Sequence, residues 1–189
     1  MFSLSGKVAL IIGGAGKIGS FIAEGYLEAG ATVILASKNI KKLQKVKLQL
    51  EKISKNIFIE IVDQSSEKSV KNLLKNMKKN NNEIDILVNS GVSRPMKKFF
   101  HDSYEKWDES MKVNSRGLFL TTKYFGEEMS KNNKGSIINI SSIYGLVGPD
   151  MNLYEGSDFE TEPDYPFNKA GMIGYSRYLA SYFSKNNVR

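Results

Sequence analysis

Tyr165 and Lys169 are the residues whose types and spacing point most directly to chemistry. Four positions apart, they share one face of a helix. A free phenol has a pKa of about 10, too high for easy proton exchange at neutral pH. A cation beside it favours the phenolate. Such a pair is suited to giving a proton to an oxygen or taking one from it. A second feature is the turn Gly13-Gly14-Ala15-Gly16-Lys17-Ile18-Gly19. Glycines let a chain turn tightly and approach a pyrophosphate closely, and a helix N-terminus offers free N–H groups and partial positive charge. Gly13, Gly16, Lys17, Ile18 and Gly19 are therefore candidate contacts to a dinucleotide, with Lys17 adding charge near the phosphates.

These residues need elements to position them. Strands are expected at 7–12, 32–36, 57–62, 84–89 and 136–140. Helices are expected at 18–29, with Gly30 as a C-terminal stop, and at 40–54, 66–79 and 165–184. Asp102 and Glu105 have the spacing of a capping box that would open a long helix through Met129. Apolar strands alternating with helices argue a doubly wound α/β fold with a parallel sheet, read here as one domain over 1–189. The glycine turn follows the first strand and opens the first helix, the context a dinucleotide fingerprint requires.

Composition narrows the function classes. The chain has 189 residues and no cysteine, so disulfides, thiolate nucleophiles and cysteine metal sites are excluded. The single histidine, His101, supports no metal site and is expected at the surface. The formal charge of +7 resides partly in lysine clusters at 41–47 and 75–79. These lie on amphipathic helices and read as solvated faces, not as a nucleic-acid surface. No signal peptide or membrane-spanning stretch is evident, and a soluble, cytoplasmic protein is expected.

The cofactor type turns on the end of the second strand. A carboxylate there would hold the ribose hydroxyl of NAD, whereas basic groups accommodate a 2′-phosphate. The strand ends Leu35-Ala36-Ser37-Lys38, so Ser37 and Lys38 favour NADP(H) over NAD(H).

In sum, the chain resembles the short-chain dehydrogenase/reductase family, mostly its classical type. The resemblance runs from Leu4-Ser5-Gly6-Lys7 at the start, through Asn89-Ser90-Gly91, Lys112-Val113-Asn114 and Ser141-Ser142, to Tyr165-Pro166-Phe167-Asn168-Lys169. It implies a Rossmann-type fold and hydride transfer between nicotinamide and a carbonyl or secondary alcohol. It implies Asn114, Ser142, Tyr165 and Lys169 as catalytic residues. Ser142 would hydrogen-bond the substrate oxygen, and Asn114 would order a water relay to Lys169. It further implies Asp63 at the adenine, with Gln64, Asn89, Gly91, Tyr165 and Lys169 also facing the cofactor. The last two helices are commonly a homo-oligomer interface in the family.

The pattern departs from the family in four places. Ile12 and Lys17 replace residues of the usual turn, leaving Gly13-x-x-Gly16-x-x-Gly19, which is similar to nucleotide-sugar epimerases and dehydratases. That branch is the alternative reading. Asn89-Ser90-Gly91 is one residue off the family's pattern. Between Ser142 and Tyr165 stands an acidic loop with Asp150, Glu155, Asp158, Glu160, Glu162 and Asp164, expected to shape the substrate pocket. A similar insertion occurs in relatives linked to surface-sugar synthesis, so a sugar-related substrate is one expectation. The chain stops where the family enters its sixth strand. The C-terminal strands are therefore expected to be missing, leaving the fifth strand exposed and a truncated, non-catalytic nucleotide-binding protein as a further alternative.

Overall fold

The computed structural model describes residues 2–80, 82–98, 101–156 and 161–189. Five strands form one parallel sheet: β1 Val8–Ile12, β2 Thr32–Ser37, β3 Ile57–Ile61, β4 Ile86–Asn89 and β5 Ser136–Asn139. Their order across the sheet is β3-β2-β1-β4-β5, so the direction in which strands are added reverses between β1 and β4. In open α/β sheets a ligand crevice lies outside the carboxyl ends of the strands at such a switch point. Register brings Ile12 level with Ala36 and Asn89, and Asn89 level with Asn139, along that edge.

The central strands form because their side chains are buried on both faces, whereas β3 and β5 at the sheet edges are partly exposed. β4 is buried at every position, and β1 at all but the first. One core layer contains Leu10, Ile12, Ile34, Leu73, Met77, Leu87, Phe125 and Met129. The other contains Ile11, Ala23, Leu27, Val33, Leu35, Leu43 and Val88. Alternate residues of each strand thus serve opposite layers, as the twofold repeat of a strand demands.

The helices are α1 Lys17–Glu28, α2 Ile40–Leu50, α3 Glu67–Lys79, α4 Tyr104–Met111, α5 Gly117–Lys131 and α6 Asp164–Phe183. Gly30 (φ 89°) stops α1 as expected: Ala31 N–H donates to Tyr26 and Gly30 N–H to Leu27, a Schellman closure. The lysines of α2 and α3 lie along amphipathic helices, and Lys41, Lys45, Lys75, Lys78 and Lys79 are exposed.

Two expectations are corrected, and two others gain detail. The long helix from 102 to 129 is broken into α4, a π-helical turn over Lys112–Arg116, and α5. Asp102 does not cap it: Ser103 is the N-cap residue, and the Asp102 carboxylate accepts N–H bonds from Lys97 and Lys98 at 2.6 Å each. The acidic loop carries short 3-10 turns at Ile143–Gly145 and Met151–Tyr154, while Asp158 and Glu160 lie outside the described residues. The edge of β5 is met at one end: Val188 bridges Gly135, and Ile137 N–H donates to the Arg189 carbonyl at 2.7 Å.

Candidate active site

The glycine turn is built from backbone alone. Gly13 N–H donates to Ala36 O (2.8 Å) and Gly16 N–H to Gly13 O (2.9 Å), folding the chain back over the ends of β1 and β2. Gly13 has φ 79°, and a Cβ there would lie 2.5 Å from the Gly91 nitrogen. No other residue type fits that backbone. A Cβ on Gly19 would lie 2.5 Å from Gly13 O, so Gly19 lets α1 sit against the turn.

Beside the turn is an open cleft of about 400 Å³, lined by Gly13, Gly16, Ser37, Lys38, Asp63, Gln64 and Gly91 of the expected residues. Lys17, Ile18 and Gly19 are not among its lining residues, and Ile18 is exposed. Asn39 and Lys42 do line it, although Lys42 has the sequence signature of an ordinary solvated helix face. Only its place in the first turn of α2, capped by Asn39 Oδ1 on the Lys42 N–H (3.0 Å), could have marked it.

Lys38 and Asp63 in this cleft are paired. Lys38 Nζ lies 3.0 Å from Asp63 Oδ2, and Asp63 Oδ1 accepts from the Ser65 hydroxyl (2.6 Å) and N–H (2.9 Å). Partial burial pushes the Asp63 pKa up, but the hydrogen bonds from Ser65 and Lys38 and the nearby ammonium outweigh it and hold it below the usual carboxylate value. Gln64 lines the cleft, but its amide donates to Val113 O (2.9 Å) and Gly91 O (3.4 Å), strapping the loops together. The Ser37 hydroxyl oxygen is buried with no partner among the described residues. A buried hydroxyl without a partner is unfavourable, so a polar ligand atom is wanted there. That orphan and the backbone approach at Gly13 both fit a dinucleotide.

Gly91 and Val92 also line a small recess with Asn114, Tyr165, Asn168, Lys169 and Met172. The cleft therefore adjoins three of the four expected catalytic residues. Lys169 is 8% exposed, and its ammonium donates to Ile140 O at 2.6 Å. Burial pushes its pKa below the usual lysine value. Its Nζ lies 5.6 Å from the centre of the Tyr165 ring, the helical adjacency that the spacing predicts. The Ser142 Oγ accepts from Tyr144 N–H (3.2 Å) and caps the turn Ile143–Gly145. That turn is docked on α6: Ser141 Oγ donates to Lys169 O (3.0 Å), and a Cβ on Gly145 would lie 2.8 Å from the Lys169 carbonyl carbon.

The bonds that Asn114 makes are structural. Its amide donates to Ser93 O (2.8 Å) and Ser110 Oγ (2.9 Å), and its oxygen accepts from Ser93 N–H (2.8 Å). The side chain ties the π turn to the loop after β4. π turns often mark functional sites because they break the regular ladder. Asn89 is likewise occupied: it donates to Asn139 (2.9 Å) and accepts from Thr121 (2.8 Å), and Asn139 donates to Ser176 (2.8 Å). Its side chain belongs to a buried network joining β4, β5, α5 and α6.

Several residues here carry no signal of their own in the sequence. Asp164, 1% exposed, accepts from the Ser110 hydroxyl, and Asn168 donates to the Asp164 carbonyl at 2.7 Å. Arg94 pairs with Glu162. The Tyr144 and Tyr154 hydroxyls are bonded together, and Thr161 donates to Tyr154 at 3.0 Å. Each depends on contacts more than forty positions apart or on the folded loop. A second cavity, about 280 Å³, lies between α3 and α5 near the amino end of β4 and holds none of these residues. Among the described residues no cluster of metal ligands is present, and no helix is long and apolar enough to cross a membrane.

With this geometry in place, comparison with known proteins is informative. The profile described as short chain dehydrogenase matches residues 7–189. A 3-oxoacyl-[acyl-carrier-protein] reductase, FabG, of Aquifex aeolicus is 33% identical, over 98% of this chain and 71% of its own length. Among solved structures, the Pseudomonas aeruginosa RhlG/NADP active-site complex is 26% identical with a TM-score of 0.84, covering all of this chain and 70% of its own. NAD+-bound xylitol dehydrogenase shares the fold, with a TM-score of 0.88 at 23% identity, covering 98% of this chain and 68% of its own. The chain belongs to the short-chain dehydrogenase/reductase family of oxidoreductases, with the parallel Rossmann-type sheet that family carries.

Proposed function

We propose that this chain transfers a hydride between a nicotinamide dinucleotide and a small carbonyl compound or secondary alcohol, with Tyr165 as the acid–base group. The observation that carries the reading is the recess at which Tyr165, Lys169 and Asn114 meet Gly91, itself part of the cleft. The bound dinucleotide would supply the hydride at that junction. Gly13, Gly16, Ser37, Lys38, Asp63 and Gly91 would hold it, with Asn39 and Lys42 at its outer end.

The chain's own residues handle the proton. Tyr165 gives it to the substrate oxygen as charge develops there. Lys169 places a buried ammonium against the Tyr165 ring, favouring the phenolate that remains. Ser142 accepts from Tyr144 N–H, which orients its hydroxyl, and its hydrogen would go to the substrate oxygen. Asn114 sets the position of the loop bearing Ser93.

NADP(H) is preferred in this reading. Ser37, Lys38 and Lys42 gather at the end of β2 and the start of α2, and the unpartnered Ser37 hydroxyl suits a 2′-phosphate. A polar, sugar-related carbonyl substrate would suit the hydroxyls of Tyr144, Tyr154 and Thr161 that gather in the acidic loop. Pairing through α5 and α6 is supported by the exposed Phe119, Tyr178 and Tyr182. Titration of the purified chain with NADPH and with NADH, followed by Trp107 fluorescence, tests the reading. Saturable binding with at least tenfold preference for NADPH is expected. Binding of neither would contradict it, and equal binding would remove the NADP(H) preference.

A further inference from the structure

Glu162 stands three residues before Tyr165, and its carbonyl accepts the Tyr165 N–H at 3.2 Å. Its carboxylate, 8% exposed, accepts from Arg94 Nη2 at 2.9 Å. The Arg94 guanidinium carbon in turn lies 4.8 Å from the centre of the Tyr165 ring. Three contacts thus close a circle: an ion pair, a backbone bond and a cation on a ring. Arg94 is on the loop after β4, and Glu162 is at the end of the acidic loop, 68 positions away. A buried carboxylate requires a partner, so Arg94 is held in place rather than left to roam. Its planar fork can bond the carboxylate and stack on the ring at once, which an ammonium cannot.

We propose that Arg94 and Glu162 are positioning residues that hold the Tyr165 ring in the orientation from which its hydroxyl delivers the proton. The inference rests on the reading of Tyr165 as the acid. Neither residue need touch the substrate. Arg94 fixes one face of the ring, and Glu162 fixes Arg94 and the first turn of α6. The acidic loop is thereby tied to the reacting group.

The test measures kcat, KM, NADPH affinity and Tm for four variants, using NADPH and the fastest of acetoacetyl thioester, 2,3-butanedione and xylulose as carbonyl probe. Arg94→Ala is expected to lower kcat at least tenfold, leave NADPH affinity within twofold, and lower Tm because Glu162 loses its partner. Arg94→Ala with Glu162→Gln is expected to recover Tm while kcat stays low. Arg94→Lys is expected to fall between wild type and Arg94→Ala in kcat. Recovery of kcat together with Tm would reduce the pair to a structural role and overturn the proposal. So would full kcat in Arg94→Ala. Tyr165→Phe separates the two claims. If it loses turnover while the Arg94 variants keep theirs, only the positioning role falls. If it keeps turnover, the acid–base reading falls and the positioning role with it.

Discussion

The proposed cofactor end and the proposed catalytic end of this site are built on different principles. At Gly13–Gly19 the arrangement rests on backbone bonds and close approach, such as Gly13 N–H to Ala36 O and the 2.5 Å that a Cβ on Gly19 would leave to Gly13 O. Around the π turn and the start of α6 it rests on side chains: Ser110 to Asp164, Asn114 to Ser93, Arg94 to Glu162, Lys169 to Ile140. The sheet shows the same contrast, since β4 is buried throughout whereas Ile138 of β5 is exposed. One end should resist changes of side-chain chemistry and fail on added volume. The other should be the more sensitive to side-chain chemistry.

The largest effect expected from breaking this contrast is on turnover. Lys169→Met keeps the volume but removes the ammonium, and kcat should fall by about 10²–10⁴. Stability should respond in the other sense. The folded-state pKa of Lys169 is depressed, so the unfolded chain binds more protons between that value and about 10.4. Stability of the wild type should therefore rise with pH through this window. Denaturant melts at several alkaline pH values should show that rise weakened in Lys169→Met; an unchanged slope would remove the burial argument.

Next comes Gly13→Ala. It forces a side chain onto φ 79° and against Gly91. Strain and overpacking together should cost about 2–5 kcal/mol. Thermal melting should drop by roughly 5–15 °C, and an unchanged Tm would show that the turn is not held as described. Ser110→Ala should be smaller. It takes a hydroxyl from a carboxylate that is 1% exposed, costing about 1–3 kcal/mol, read as a shift of the urea midpoint. The smallest is Lys38→Ala. Its pair with Asp63 is largely solvated and worth under about 1 kcal/mol. Because the Asp63 pKa is depressed, that contribution is present above the unfolded value of about 3.9 and is lost as pH falls through the folded one. Acid melts of the two proteins should converge there, and a gap that persisted in acid would assign the effect elsewhere.

The α/β alternation and the strand positions were legible to within about two residues because buried strands and amphipathic helices leave strong periodic signals. The glycine turn, Tyr165 and Lys169 were legible as local patterns. What the sequence concealed depends on contacts between distant segments. Nothing local marks Ser110 as the partner of Asp164, or Arg94 as the partner of Glu162. The break at Lys112–Arg116 was hidden because 104–131 has helical periodicity on both sides of it. Lys42 was hidden by resembling its solvated neighbours.

The central claim is that Tyr165 supplies the proton at a site whose cofactor end is built independently of it. Tyr165→Phe keeps the ring that Arg94 and Lys169 face and removes only the hydroxyl. The account predicts that its NADPH affinity, read by fluorescence, stays within about threefold of wild type while kcat for carbonyl reduction falls by about 10²–10⁴. Turnover within tenfold of wild type, with NADPH still bound, would contradict it.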